Sequence, residues 1–163
     1  MQSCLGLGAN LGDPAATLSA ALDALRRWPE TQVLATSRLY RSAPMGPPDQ
    51  PDYCNAVVRV ATTLSPEAVL SQIQQTEQAF GRDRTGERWG ARSLDIDLLL
   101  YGNQRIATPA LTVPHAGLAQ RAFVLLPLLD VAPTLVLPDG SSLAALAAAI
   151  DQAGIHGVQA WTA

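Results

Sequence analysis

Lysine is absent from this 163-residue sequence, and all 11 of its basic residues are arginine. A P-loop lysine, a Schiff-base lysine and the lysine of protein kinases are therefore excluded. Any phosphate or carboxylate that the protein binds must be held by guanidinium groups or by backbone amides. The formal net charge of −3 also argues against a general nucleic-acid binder and against binding to anionic membranes.

Cysteines and long apolar runs are equally scarce. The two cysteines, Cys4 and Cys54, have neither CxxC spacing nor a neighbouring histidine, which argues against a zinc site and a disulfide framework. No apolar run approaches the roughly 18 residues of a membrane span, and the N-terminus lacks the pattern of a secretory signal. We therefore expect a monomeric, cytoplasmic protein without membrane association, formed by one domain over residues 1–163.

The pattern of apolar and turn residues predicts an α+β domain. Asp13 and Ser65 are each followed by proline and by apolar residues at helical spacing, which is typical of a helix N-terminus. Strands are predicted at 2–8, 31–41, 53–63, 93–101 and 104–107, with a hairpin turn at 102–103, and helices at 14–28, 66–80, 123–131 and 142–153. The order βαββαβ is a split βαβ arrangement, in which helices cover one face of an antiparallel sheet, here with a C-terminal helical extension.

Two aspartates mark the predicted strand at 93–101. Because side chains alternate along a strand, Asp95 and Asp97 share one face, and Leu94, Ile96, Leu98 and Leu100 share the other. Paired carboxylates suit Mg²⁺, which usually takes one or two of them and completes its coordination with water and substrate phosphate. The alternative is a solvated polar face on an edge strand.

An arginine-rich loop precedes this strand. It is interrupted by three glycines and contains four of the arginines, namely Arg82, Arg84, Arg88 and Arg92. Such a loop beside a carboxylate pair has the composition of a lid that closes over a metal-bound polyphosphate. The alternative is a solvated charged loop in which Asp83 and Glu87 partly neutralise the arginines.

Three aromatic residues near these motifs, Tyr53, Trp89 and Phe123, indicate stacking on a flat ring, although each alone could be a core residue. The Asn55 side-chain amide could form hydrogen bonds with the edge of a heterocycle, or it could form hydrogen bonds with buried backbone groups. Because no other histidine lies near it in the sequence, His115 is interpreted as a surface residue or a hydrogen-bonded core residue. Residues 8–12 are interpreted as a tight turn, with Asn10 bracing neighbouring loops.

Together these segments resemble the 6-hydroxymethyl-7,8-dihydropterin pyrophosphokinases of folate biosynthesis. The resemblance runs along nearly the whole chain and is carried by residues 8–12, 46–56, 87–97 and 111–115. It implies a ferredoxin-like α+β fold and the transfer of pyrophosphate from ATP to the hydroxymethyl group of the reduced pterin, with release of AMP. It also implies two Mg²⁺ ions held by Asp95 and Asp97.

The resemblance assigns further residues to the two substrates. Arg82 and Arg92 would stabilise charge on the transferring group, and Arg84 would close over the nucleotide. The residues matched to the pterin are Ser42, Ala43, Met45, Tyr53, Asn55, Trp89 and Phe123. Those matched to ATP are Leu70, Gln74, Glu77, Arg84, Arg88, Trp89, Arg92, Leu98, Thr112, His115 and Arg121.

The sequence departs from the family pattern at a few positions. Ser42 and Ala43 replace a frequent threonine–proline pair, while Ala110 and Ala116 stand where some relatives have a basic residue and a tyrosine near the nucleotide. We therefore expect weaker ATP binding without loss of the reaction. Two other hypotheses are a non-catalytic ferredoxin-like binding module and a kinase that produces ADP.

Overall fold

Eight strands and four α-helices are formed by residues 1–44, 49–81 and 94–161, the part of the chain that the computed structural model describes. The strands are β1 (Gln2–Ala9), β2 (Thr31–Thr36), β3 (Leu39–Ser42), β4 (Tyr53–Thr62), β5 (Asp95–Tyr101), β6 (Ile106–Ala107), β7 (Thr112–Val113) and β8 (Ile155–Gln159). The helices are α1 (Pro14–Arg26), α2 (Pro66–Ala79), α3 (Ala122–Val131) and α4 (Leu143–Ala149).

The main sheet is antiparallel, with the strand order β5–β1–β4–β3–β8. β2 pairs with the later half of β4, next to the stretch that pairs with β3. The predicted strand at 31–41 is thus interrupted at Ser37, whose hydroxyl accepts from the amide of Val57 at 2.9 Å. With β2 and β3 counted as the two halves of one interrupted strand, the order from β1 to β5 is βαββαβ, which confirms the predicted ferredoxin-like fold.

The two helices between these strands begin and end at the predicted signals. The Asp13 carboxylate accepts from the amide of Ala16 at 3.2 Å, and the Ser65 hydroxyl accepts from the amide of Ala68 at 3.1 Å. Both contacts satisfy amides that the first turn of a helix leaves unpaired. Beyond α2, Gly81 adopts a positive φ of 80°, a conformation that glycine reaches without steric cost.

Helices cover both faces of the sheet: the two helices of the βαββαβ unit share one face, as predicted, and the C-terminal helices cover the other. α1 and α2 pack with Leu5, Leu7 and Val58, whereas α3 and α4 pack with Val57 and Leu99 on the opposite face. The α3 segment is apolar around most of its circumference, so burial on the second face removes this surface from water. No helix in the described part of the chain is long and apolar enough to cross a membrane.

Three local predictions were wrong. A register shift between Cys4 and Leu5 turns Leu100 to the α3 face, away from Leu98. β6 pairs with β7, so residues 102–103 do not connect a hairpin with β5. The last predicted helix ends at Ala149, before the unpredicted strand β8.

Candidate active site

The two aspartates of β5 stand beside two glycines of β1. Asp95 pairs with Gly8, and Asp97 pairs with Gly6. Paired residues of antiparallel strands project to the same face, so no β1 side chain fills the space next to either carboxylate. Asp97 is half exposed, with 50% of its side chain accessible. Neither glycine adds a side chain to the face that carries both carboxylates, although Gly8 is itself buried and Leu99 lies next to Gly6.

Asn55 lies on the other side of Gly8 in the same row of the sheet. Gly8 pairs with Asn55 on β4 and with Asp95 on β5. A Cβ atom at Gly8 would lie 3.1 Å from Asn55 Oδ1 and 3.8 Å from Tyr53 Cδ1. Gly8 thus forms a flat floor between an amide and a carboxylate. It lies within β1, so the interpretation of residue 8 as part of a tight turn was wrong.

The Asn55 side chain has a fixed orientation. Its Nδ2 donates to the Ser42 hydroxyl at 2.6 Å and to the Tyr40 carbonyl at 3.4 Å. Asn55 and Ser42 are both buried. With both donors directed toward β3, Oδ1 faces Gly8 and can accept a hydrogen bond from a ring amine or amide.

Asp97 also borders a cleft along the outer edge of β5. This cleft has a volume of about 240 Å³ and is lined by Leu70, Ile73, Ile96, Asp97, Leu98, Ala110, Leu111, Thr112, His115 and Ala116. Four residues assigned to ATP by resemblance are therefore brought together, namely Leu70, Leu98, Thr112 and His115. Gln74 is exposed one helical turn after Leu70.

Glu77 reaches the same strand edge from α2. It is buried, and its Oε2 accepts from the amide of Ile96 at 2.9 Å, between the two aspartates. Because β5 is the terminal strand of the main sheet, this amide would otherwise have no partner in a neighbouring strand. Glu77 therefore fixes the backbone that carries both carboxylates.

His115 faces Asp97 across the mouth of the cleft. Its Nδ1 accepts from the amide of Gly117 at 3.1 Å, which places the proton of the neutral ring on Nε2. Nε2 lies 3.8 Å from Asp97 Oδ1, and the His115 amide donates to the Leu99 carbonyl at 3.0 Å. His115 thus presents an N–H group at the point where the cleft meets the carboxylates, rather than filling a core position.

Arg121 and Phe123 form a stacked pair at the start of α3. The Arg121 guanidinium lies 5.9 Å from the centre of the Phe123 ring, a cation–π distance. A Cβ atom at Gly117 would lie 2.6 Å from Arg121 Nε, so that glycine makes room for the guanidinium. Phe123 packs at the margin of the α3 core, on the sheet face that carries Asp95 and Asp97.

Among residues 1–44, 49–81 and 94–161, no group of three or more histidine, cysteine, aspartate or glutamate side chains is arranged to hold a metal. Asp95 and Asp97 provide two carboxylates on one face of β5. Such a pair suits Mg²⁺ when phosphate oxygens and water complete the coordination. The two cysteines are free, as predicted. Met45, Arg82, Arg84, Arg88, Trp89 and Arg92 lie outside the described residues.

Several contacts at the site were not predicted. The roles of Gly6 and Gly8 were missed, although two glycines at a spacing of two within a strand are a signal of close approach on one face. No role was predicted for His156, whose Nδ1 lies 2.7 Å from Asp52 Oδ2. The bracing role of Asn10 is confirmed, since its Nδ2 donates to the Gln50 side chain at 2.9 Å and to the Pro51 carbonyl at 3.1 Å.

Comparison with known sequences gives a consistent result. The family model described as 7,8-dihydro-6-hydroxymethylpterin-pyrophosphokinase matches residues 4–133, so β8 lies after the matched stretch. A 2-amino-4-hydroxy-6-hydroxymethyldihydropteridine pyrophosphokinase from Pseudomonas aeruginosa is 48% identical over 152 residues, covering 93% of both chains. The Haemophilus influenzae protein of the same name is 45% identical, covering 87% of this chain and 88% of that one.

Solved structures support the same fold. A Plasmodium falciparum HPPK-DHPS structure with pteroate matches 90% of this chain with a TM-score of 0.73 and 15% sequence identity. This chain spans 42% of that protein. The folic acid synthesis protein fol1 of Schizosaccharomyces pombe is 40% identical over 134 residues, and the match covers 18% of its length.

Proposed function

This chain belongs to the 7,8-dihydro-6-hydroxymethylpterin-pyrophosphokinase family, and we propose that the two sides of its β5 edge hold the two substrates. The protein is a pyrophosphokinase of the hydroxymethyldihydropterin step of folate biosynthesis, with ATP as co-substrate. In this transfer the substrate hydroxyl oxygen bonds to the β-phosphorus of ATP and loses its proton. The bond from that phosphorus to the oxygen bridging the α-phosphorus breaks, and AMP leaves with the oxygen.

The pterin would lie over Gly8. The floor there has no side chain, and Asn55 Oδ1 faces it as an acceptor for the amine and amide groups of the ring. Tyr53 and Phe123, both half-buried, would contribute aromatic surface on the same sheet face. Ser42 would act by holding the Asn55 amide, and the backbone of Ala43 would line this side.

ATP would occupy the cleft along β5. Leu70 and Leu98 provide apolar walls that suit an adenine ring, with Gln74 and Thr112 able to offer polar contacts. The His115 Nε2–H group and the Arg121 guanidinium are donors for phosphate oxygens. This placement directs the polyphosphate toward Asp97, the residue shared by the cleft and the carboxylate pair.

Asp95 and Asp97 would hold two Mg²⁺ ions. Bound Mg²⁺ offsets the charge of the polyphosphate and makes a coordinated hydroxyl more acidic. Glu77, also matched to ATP, keeps the β5 backbone in place between the two aspartates and so positions the carboxylates. The Arg82 and Arg92 side chains would stabilise charge on the transferring group.

The observation that carries this proposal is the row Asn55–Gly8–Asp95, which connects a pterin floor without side chains to the carboxylates beside the nucleotide cleft. Steady-state kinetics of two variants tests the assignment. Asn55→Ala should raise the KM for the pterin and leave the KM for ATP nearly unchanged, whereas Leu70→Ala should do the reverse. Circular dichroism checks that both variants fold. Equal changes in both KM values for either variant would contradict the separation of the two subsites.

A further inference from the structure

The C-terminal strand reaches back to the pterin side of the site. β8 pairs with β3, so that Gly157 lies opposite Arg41. The amide of Ala43, the residue that follows β3, donates to the Gly154 carbonyl at 2.9 Å. The segment that enters β8 therefore holds the backbone directly after Ser42, where the connection between β3 and β4 begins.

A side-chain cluster holds the other end of that connection. Asp52 immediately precedes Tyr53, and its Oδ2 lies 2.7 Å from His156 Nδ1 and 3.4 Å from Arg41 Nε. A carboxylate accepts hydrogen bonds, so Nδ1 carries the proton in this contact. Arg41 Nη2 also donates to the His156 carbonyl at 2.8 Å. The cluster thus joins the last residues of the β3–β4 connection to β8.

Gly157 lies beside this cluster. A Cβ atom there would lie 3.5 Å from Arg41 Nη2 and 3.6 Å from Arg41 Cζ, so the guanidinium lies flat across the strand at this glycine. The last described residue, Trp161, donates from Nε1 to the Ser19 hydroxyl of α1 at 3.0 Å. β8 is therefore anchored on both sides of His156, by β3 and by α1.

We propose that His156 is a positioning residue for the pterin substrate, acting through Asp52 on the adjacent Tyr53. The inference rests on the proposed placement of the pterin over Gly8. Tyr53 follows Asp52 directly, so a hydrogen bond that holds the Asp52 side chain also limits where the Tyr53 ring can lie. His156 touches neither substrate and is not a catalytic residue.

The exposure of the His156 and Asp52 side chains distinguishes the proposed positioning role from a general contribution to the stability of the fold. The His156 and Asp52 side chains are 42% and 29% exposed, and exposed ion pairs contribute little to global stability. Loss of the contact should therefore leave folding nearly intact while loosening one wall of the pterin site. Because the nucleotide cleft is lined by α2, β5 and residues 110–116, it should not respond.

The test is a comparison of His156→Ala, His156→Asn and Gln159→Ala in the full chain, with the KM values for pterin and ATP measured separately. His156→Ala should raise the KM for the pterin by about threefold to fivefold, the upper range for one exposed charge pair. kcat and the KM for ATP should stay within about twofold of the parent. His156→Asn retains an N–H donor near the Nδ1 position, so it should recover most of the pterin affinity.

Gln159→Ala is the matched control, because Gln159 is an exposed residue of the same strand. It should leave both KM values unchanged. In an Asp52→Asn background, His156→Ala should have less effect than in the parent, since the two side chains act as one unit. An unchanged pterin KM in His156→Ala, or an equal rise in both KM values, would overturn the inference.

The controls distinguish this inference from the proposed function. If the parent protein forms no AMP, or if Asn55→Ala leaves the pterin KM unchanged, the proposed placement of the pterin fails. If Asn55→Ala raises the pterin KM while His156→Ala and His156→Asn behave as the parent, the placement stands and the role of His156 is refuted.

Discussion

Replacement of Gly8 by alanine tests the pterin floor directly. The added Cβ atom would lie 3.1 Å from Asn55 Oδ1, closer than ordinary van der Waals contact, and 3.8 Å from Tyr53 Cδ1. Asn55 cannot move away freely, because its Nδ2 donates to Ser42 at 2.6 Å. Gly8→Ala therefore either blocks the floor or breaks that hydrogen bond.

The magnitude follows from these contacts. One hydrogen bond of this kind contributes about 0.5–1.5 kcal/mol, and loss of the flat contact with a ring adds a similar amount. We therefore expect a rise of about 10-fold to 100-fold in the pterin KM, with little change in the KM for ATP. The free energy of unfolding should change little, since a Gly→Ala replacement also lowers the entropy of the unfolded chain by an opposing amount.

Steady-state AMP formation at varied pterin concentration measures the effect, and thermal unfolding checks stability. Gly154→Ala is the control, because a Cβ atom at Gly154 meets nothing within 4 Å and its backbone φ is not left-handed. A Gly8→Ala protein with the parent's pterin KM would refute the reasoning. If the variant unfolds at the assay temperature, the same comparison of the two KM values is made at a lower temperature at which it is folded.

Three further predictions concern the metal site, the nucleotide cleft and stability in acid. Asp97→Ala should reduce kcat by at least about 100-fold while circular dichroism stays that of the parent, because one of the two carboxylates proposed to hold Mg²⁺ is lost; near-normal turnover would refute the metal assignment. Ala116→Tyr should lower the KM for ATP, since Ala116 lines the cleft and leaves space there; an unchanged or higher KM would show that the smaller residue does not weaken binding. Asp130→Asn should lower the free energy of unfolding by about 1–2 kcal/mol at pH 7, because Asp130 accepts from Tyr40 at 2.8 Å and pairs with the partly exposed Arg38 at 3.1 Å. Although burial raises the pKa of the Asp130 carboxyl, hydrogen bonds from Arg38 and Tyr40 outweigh it and hold that pKa below its usual 3.8. The stabilisation is therefore complete above about pH 4–5 and is lost as the pH falls through the folded-state pKa. Urea unfolding between pH 2 and pH 7 should show a smaller acid dependence in Asp130→Asn than in the parent.

The sequence predicted those features that depend on neighbouring residues. The caps at Asp13 and Ser65, the end of α2 at Gly81 and the alternation that brings Asp95 and Asp97 to one face all follow from local stereochemistry. The resemblance added the cleft residues, which the structure brings together although Leu70 and His115 lie on separate elements.

The features that were missed depend on contacts distant in sequence. β8 has only half-buried or exposed residues, and its partner β3 lies more than 110 residues earlier, so its sequence carries no strong strand pattern. The face that α3 covers is decided by the whole sheet, and a local periodicity of apolar residues does not specify it. The register shift at Leu5 reverses the alternation within β5, which a strict period of two cannot predict.

The most direct test of the account is analysis of the nucleotide product after the protein is mixed with ATP, Mg²⁺ and 6-hydroxymethyl-7,8-dihydropterin. The account predicts AMP in equal amounts with a pterin diphosphate, and none when the pterin is omitted. Formation of ADP with a pterin monophosphate would contradict the account, because a single phosphoryl group would then be transferred at this site.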